Sequence, residues 1–222
     1  MVPGGRILAV TGLQREAKLV AGDRISAVIG AGDAKELERR LDMALERIPV
    51  VAMLSFGVCG ALTADLAAGQ LVIGRRVVSG DQSWTCDAEW TASLLARLPG
   101  AREAEVAAGK VMIGSVEAKT ALAARSGCQV VDMESHIVAQ AAQARGLPFA
   151  VVRAVSDRAD HALPPAALLD LRDDGRPNLP AILGSLAHNP GQLPALIRTA
   201  KQAELAFKAL ERIGWPATSG RG

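Results

Sequence analysis

Strand-like apolar runs alternate with helix-like segments along most of the 222 residues, and this alternation restricts the fold more than any other feature. The run VVAML at 50–54 is apolar throughout, as expected of a strand that is buried on both faces. The alternation predicts an α/β fold, a three-layer αβα sandwich with a central, largely parallel mixed sheet. The predicted strands are 6–10, 25–29, 50–54, 71–78, 111–113, 129–131 and 149–155, and the predicted helices are 34–47, 89–98, 118–125 and 134–145.

No internal repeat or clear linker divides the chain, so one domain over residues 1–222 is expected. DDGRPNLP at 173–180 is predicted to be a loop before C-terminal helices, and residues 216–222 to be a frayed tail. The last helical segment has apolar residues at helical spacing, which favours packing on the core over contact with lipid. These residues are Leu193, Leu196, Ile197, Ala200, Phe207 and Leu210.

Composition excludes several classes of protein. The formal net charge is only +2 and the basic residues are scattered, which argues against a nucleic-acid partner held by phosphate contacts. With three Phe, three Trp and no Tyr, the chain also lacks the aromatic residues of a base-stacking surface. Its three cysteines and three histidines are widely spaced, so no metal site is predicted.

The sequence shows neither a signal peptide nor a membrane span. The opening MVPGGRILAV has one basic residue and a short apolar run that is better interpreted as a first strand. The longest hydrophobic stretch, PVVAMLSFGVCGALTA, is interrupted by glycine and is shorter than the roughly 20 residues of a membrane span. A cytoplasmic protein is expected.

The stretch at 130–160, VVDMESHIVAQAAQARGLPFAVVRAVSDRAD, places two acids at the ends of a helix-to-strand unit. Glu134 opens an apolar helix, and Asp157 follows the strand AVVRAVS. Ligands of open α/β sheets bind at the carboxyl ends of strands. One carboxylate there would grip a diol through both hydroxyls, while the other, partly desolvated, would deliver a proton. The alternatives are a first-turn helix acid and a helix cap.

Three further segments are weaker candidates. Glu16 in TGLQREAKLV is either a base that activates water or a solvated helix acid, and the segment alone favours the latter. Gly30-Ala31-Gly32 is either an anion-binding turn or a plain tight turn. Ser55 to Gly60, SFGVCG, either lets a ligand approach the backbone closely or forms a turn that needs glycine.

Three blocks together resemble the purine nucleoside phosphorylase and nucleosidase superfamily: TGLQREAK, SFGVCGALTADLAAGQLVI and VVDMES…VVRAVSD. Over nearly the whole chain the sequence is most similar to the hopanoid-associated phosphorylases, through SVEAKTAL, VVDMESHIVAQAA, LPFAVVRAVSDRADHALPPAAL and NPGQLPALI. The resemblance implies cleavage of the N-glycosidic bond of an adenine nucleoside, adenosylhopane, in hopanoid biosynthesis. It also implies a homo-oligomer.

The resemblance also assigns roles to the acids. Asp157 matches the acid that protonates the departing purine at N7, and Ser156 helps to position it. Glu134 matches the acid that binds the ribose hydroxyls, with Met133 packing on the sugar. Glu16 falls where the hydrolytic branch has its water-activating acid. The sugar would develop oxocarbenium character, as in glycoside cleavage generally.

The base and phosphate contacts depart from the family pattern. No aromatic residue lies beside the SVEAK block, so Val116 is the expected apolar contact of the base, and Gly60 is a further candidate for substrate binding. The arginine and serine that serve phosphate in phosphorylases are not in register. The remaining candidates for a phosphate site are Gly12, Arg15, Gly32 and Ser55.

Both phosphorolysis and hydrolysis therefore stay open, with inorganic phosphate as the possible co-substrate and no cofactor. The alternatives are a methylthioadenosine/S-adenosylhomocysteine-type nucleosidase and a non-catalytic nucleoside-binding protein, since a fold alone does not give a function. A lipid-linked substrate would bring the protein to the membrane periphery without a transmembrane segment.

Overall fold

The computed structural model describes residues 5–109, 111–169 and 171–215. Eight strands form one sheet, and seven α-helices flank it in these ranges. The strands are β1 Arg6–Thr11, β2 Ile25–Ile29, β3 Val50–Ala61, β4 Leu71–Ser79, β5 Gln82–Thr85, β6 Arg102–Ala108, β7 Val130–Asp132 and β8 Phe149–Asp157. The helices are α1 Gln14–Val20, α2 Ala34–Arg47, α3 Ala88–Arg97, α4 Val116–Ser126, α5 Ser135–Ala144, α6 Leu179–His188 and α7 Leu193–Arg212.

The long strand β3 organises the sheet. Its first part pairs in parallel with β1 and β8, and its last two residues, Gly60 and Ala61, pair antiparallel with β7. Strand β8 also pairs with β4, β4 with β6, and β6 with β7. Five strands therefore form a closed ring, to which β1 and β2 add on one side and β5 on the other. The predicted mixed central sheet is confirmed.

Helices pack against apolar side chains on both faces of this sheet, which gives the predicted three layers. Helices α2 and α5 pack on one face, and α1, α3 and α7 pack on the other. Each of these five helices contributes buried side chains, and each fully buried Val, Leu or Ile side chain stabilises the fold by about 1.5–3 kcal/mol. Examples are Leu37, Leu41, Ile137 and Val138 on the first face, and Val20, Leu94, Ala206 and Leu210 on the second.

One predicted strand and one alternative, the turn at residues 55–60, were wrong. Residues 111–113 do not form the predicted strand, and Val111 and Met112 are exposed. The strand in this part of the chain is β6, REAEVAA, which was not predicted because its acidic residues interrupt the apolar pattern. Glu105 of β6 is buried because it pairs with Arg75 at 2.5 Å and Arg76 at 2.7 Å. Residues 55–60 form no turn: β3 runs through them to Ala61.

The predicted packing of the last helix on the core holds only for the second half of α7. Phe207 and Leu210 are buried there, whereas Leu193 and Ile197 in its first two turns are exposed. The predicted frayed tail, 216–222, lies outside the described residues, and the single-domain organisation stays a prediction.

Candidate active site

Strand ends bring the three predicted acids to one region of the sheet. Glu16 lies in the first turn of α1, directly after β1. Glu134 follows β7 and is the N-cap residue of α5, and Asp157 is the last residue of β8. All three are buried. Their burial contradicts the alternative of solvated surface acids.

Backbone N–H groups hold the Glu16 carboxylate. Oε2 accepts hydrogen bonds from the N–H groups of Gly12 at 2.9 Å and Leu13 at 2.8 Å, and Oε1 accepts one from Val58 at 2.8 Å. Burial raises the pKa of Glu16, while the charge of Arg153 and these three hydrogen bonds oppose the rise. The carboxylate is therefore fixed in place and more basic than an ordinary glutamate.

One glycine lies against each of the three acids. A Cβ at Gly12 would come within 2.7 Å of Oε1 of Glu134, and one at Gly57 within 2.5 Å of Oε1 of Glu16. A Cβ at Gly60 would come within 3.0 Å of Oδ2 of Asp157. The glycines of SFGVCG are therefore explained by the close approach of carboxylates within a strand, not by a turn.

A buried arginine that the sequence reasoning missed links this region. Arg153 in the middle of β8 is 1% exposed, and its Nε lies 2.8 Å from Oδ2 of Asp132. Its Nη2 donates to Ser55 Oγ at 2.6 Å and to Glu134 Oε2 at 3.4 Å, and its Nη1 donates to the carbonyl of Val58 at 3.2 Å. A charged residue inside an apolar strand run was the available signal, because a buried charge must be paired.

Asp132 connects this arginine to helix α5. Its Oδ1 accepts the N–H of Ser135 at 3.0 Å, and its Oδ2 accepts the Ser135 hydroxyl. Ser135 Oγ also lies 2.9 Å from Ser55 Oγ. The start of α5, and with it Glu134, is therefore held by a buried polar network that spans β3, β7 and β8.

Burial and the neighbouring acids raise the pKa of Glu134. Burial raises its pKa to about 7; Arg153 opposes this rise, and the charges of Asp132 and Glu16 add to it. Asp132, Glu134 and Glu16 share one arginine, so a proton is readily retained at this cluster near neutral pH.

We expect the free energy of unfolding to decrease as the pH rises from 4.5, the ordinary pKa of glutamate, to about 7. In that window the folded state binds the Glu134 proton and the unfolded state does not, so raising the pH favours unfolding, by on the order of 3 kcal/mol. Glu134→Gln should remove most of this dependence of the free energy of unfolding on pH. The remainder should come from Glu16, whose pKa is also raised. Urea unfolding at pH 5 and 7.5 measures it, with exposed Glu117→Gln as control; an unchanged slope in Glu134→Gln would contradict the assignment.

Asp157 has partners on both carboxylate oxygens. Oδ1 is 2.8 Å from the hydroxyl of Ser156, which also lies 3.1 Å from the carbonyl of Cys59. Oδ2 accepts a hydrogen bond from Lys119 of α4 at 2.5 Å. Gly60 is the β3 residue in register with Asp157, so the predicted neighbours Ser156 and Gly60 do adjoin it.

The remaining sugar and base candidates lie at two places. Met133 is half-buried next to Glu134, and both line a small cavity of about 10 Å³ together with Gly30 and Gly32. Val116 is half-buried as the first residue of α4, three residues before the lysine that contacts Asp157.

The structure gives little support to the predicted phosphate ligands. Arg15 pairs with Glu204 of α7 at 2.6 Å, and its guanidinium carbon lies 4.1 Å from the ring centre of Phe207. The hydroxyl of Ser55 is fully buried and bonded to Arg153, and the N–H of Gly12 is bonded to Glu16. Gly32 lies in the β2–α2 turn with a positive φ of 81°.

Two features are absent from the described ranges. No group of three or more His, Cys, Asp or Glu residues is arranged to hold a metal ion. No helix in these ranges is long and apolar enough to cross a membrane.

Comparison with known proteins identifies the family. The Phosphorylase superfamily profile matches residues 36–186, about two thirds of the chain. The chain belongs to this superfamily. The matched region includes Glu134 and Asp157 but begins after Glu16. The predicted superfamily is therefore confirmed, whereas the hopanoid-associated subfamily stays a prediction. No curated protein sequence matches significantly.

Solved structures of nucleosidases share the fold of this superfamily member. The 5′-methylthioadenosine/S-adenosylhomocysteine nucleosidase of Neisseria meningitidis superposes with a TM-score of 0.67 at 15% identity, over 96% of this chain and 99% of that one. The futalosine hydrolase of Helicobacter pylori gives 0.63 at 17% identity, over 94% and 97%. The S-adenosylhomocysteine nucleosidase of Streptococcus pyogenes gives 0.62 at 16% identity, over 95% and 98%.

Proposed function

We propose that this protein is a nucleosidase that hydrolyses the N-glycosidic bond of an adenine nucleoside. The observation that carries the proposal is the meeting of Glu16, Glu134 and Asp157 at neighbouring strand ends, each buried and each beside a glycine. Membership of the phosphorylase superfamily and the shared fold of the nucleosidases support the reaction class. A non-catalytic binder would not need three buried carboxylates.

In the proposed reaction the bond between C1′ and N9 breaks, and its electron pair moves into the purine. The Asp157 carboxyl O–H bond breaks as N7 takes its proton, which makes the purine a better leaving group. Glu134 accepts hydrogen bonds from the ribose hydroxyls and stabilises the positive charge that develops on the sugar. Water attacks C1′ and gives its proton to Glu16, so adenine and a free ribose derivative are released.

The environment of Glu16 favours water over phosphate as nucleophile. Its carboxylate is held by three N–H groups and has a raised pKa, as a base for water requires. Phosphate binding needs cations or free donors. Arg15 is bound to Glu204, and Arg153 is committed to Asp132 and Glu134.

Adenosylhopane is the substrate we propose, because the sequence blocks most like the hopanoid-associated phosphorylases cover nearly the whole chain. An apolar surface on α6 and the start of α7 supports a substrate with a large apolar 5′ group. This surface exposes Leu179, Leu183, Leu193 and Ile197. The second candidate is 5′-methylthioadenosine, the nucleoside for which several structurally similar nucleosidases are named.

The test is adenine release from adenosylhopane and from 5′-methylthioadenosine, each with and without inorganic phosphate. We expect release from adenosylhopane at equal rates in both conditions, with a free ribose product. A requirement for phosphate and a ribose 1-phosphate product would show phosphorolysis instead. Faster release from 5′-methylthioadenosine would favour the second substrate, and no release from either would favour a binding protein.

A further inference from the structure

Lys119 is a buried cation whose ammonium group makes three contacts. It is 0% exposed, and Nζ donates to Oδ2 of Asp157 at 2.5 Å. Nζ also lies 2.7 Å from the carbonyl of Arg158 and 3.1 Å from that of His161. These three acceptors match the three hydrogens of an ammonium group. Lys119 therefore fixes both the Asp157 carboxylate and the segment that follows it.

The position of this lysine on α4 is unusual. The helix begins after Ser115, whose hydroxyl accepts the N–H of Ala118, and ends before Gly127, whose φ is 71°. Lys119 is the only buried residue of α4. A helix normally packs through an apolar stripe. Burial of a charge is costly unless it is paired, so α4 places its one buried cation next to a carboxylate.

Few other charged groups of the described residues surround Asp157. Ser156 contributes a hydroxyl from β8, Gly60 of β3 has no side chain, and Val131 of β7 is apolar. The thiol of Cys59 stays neutral, because burial raises its pKa. Beyond β8, the Arg158 side chain pairs outward with Asp160, and His161 Nδ1 contacts Gln202 at 2.6 Å. Lys119 is thus the one side chain that forms an ion pair with Asp157 here.

We propose that Lys119 is the positioning residue of Asp157: it holds Oδ2 in place and pairs with the carboxylate that is left once the proton has been given to the base. This proposal rests on the proposed function. When N7 of the base takes the proton, the carboxyl becomes a carboxylate, which the ammonium group stabilises at hydrogen-bond distance. After adenine leaves, a proton from solvent restores the carboxyl. Lys119 exchanges no proton in this step and acts through the Asp157 carboxyl alone.

The test compares Lys119→Met, which keeps the length of the side chain and removes the charge, with Lys119→Arg and with exposed Lys208→Met as control. We expect kcat of Lys119→Met to decrease about 10- to 100-fold with little change in KM, since general-acid effects are of that order or larger. The alkaline decline of kcat/KM should move to higher pH, because loss of a neighbouring cation favours the neutral carboxyl.

The limb of the pH profile that reports Glu16 should not move, because Lys119 makes no contact with it. Lys119→Arg should restore the parent profile at least in part. A Lys119→Met profile with the parent's shape at lower rate would show a merely structural role and overturn the proposal. If Lys119→Met fails to fold, Lys119→Gln replaces it in the same comparison.

A second measurement separates this proposal from the proposed function. The carboxyl ¹³C resonance that is lost in Asp157→Asn is followed against pH in the parent and in Lys119→Met. A midpoint at higher pH in the variant supports the pairing even if the parent cleaves no nucleoside. An equal midpoint in both overturns the pairing even if the parent is an active nucleosidase.

Discussion

Asp157→Asn is expected to lower kcat for adenine release by about 10²- to 10⁴-fold while nucleoside binding is kept, since that is the usual range for loss of a general acid. The amide keeps the size of the side chain and an oxygen that accepts the hydrogen bond of Lys119, so the packing next to Gly60 is preserved. It has no proton of the required acidity for N7. The remaining rate would come from Glu134 and Glu16.

The measurement is single-turnover adenine release together with calorimetric titration of a non-cleavable nucleoside analogue. Asp160→Asn is the matched control: that carboxylate is exposed, lies three residues away and, among the described residues, pairs with Arg158 and His161. It should release adenine at the parent rate. Adenine release from the Asp157 variant at the parent rate would remove Asp157 from the reaction.

The sequence made Glu134 and Asp157 predictable because strand ends can be recognised locally, whereas Glu16 was singled out by the family resemblance. An apolar run that stops at an acid shows where a strand ends, and parallel strands bring their carboxyl ends to one edge. Glu134 and Asp157 follow such runs directly. Their partners could not be found in this way. Lys119 contacts a residue 38 positions away, and Arg153 contacts Ser55 across 98 positions.

The same holds for the fold: elements set by local sequence patterns were predicted, and elements set by contacts between distant residues were not. Helix α2 was predicted with the observed bounds because Asp33 caps it and its apolar face is regular. Strand β6 was missed because its buried Glu105 depends on two arginines of β4, which no local pattern shows. The closure of β3 on β7 likewise depends on a pairing between residues about 70 positions apart. Arg15 was considered as a phosphate ligand only because it is adjacent to Glu16 in the sequence, whereas its side chain pairs with Glu204 of α7.

Arg153→Met is expected to lower the free energy of unfolding by about 3–5 kcal/mol, the usual cost of removing one partner of a buried ion pair. Three acids of the cluster, Asp132, Glu134 and Glu16, would lose their shared cation, which opposes the pKa rise of Glu134 and Glu16. The loss should be larger at pH 8 than at pH 5, because the raised pKa values of Glu134 and Glu16 let protonation neutralise these two carboxylates at low pH.

Urea unfolding at both pH values measures the loss, and a second substitution identifies its cause. In Arg153→Met with Asp132→Asn, one uncompensated charge is removed, so part of the stability should return; additive losses would contradict the electrostatic explanation. Arg39→Met, which removes an exposed partner of Glu36, is the control and should change stability little. Arg153 contacts both the polar network at the start of α5 and the carbonyl of Val58. The double variant therefore also separates two roles of Arg153: its effect on the stability of the acid cluster, and its placement of Glu134 and Glu16.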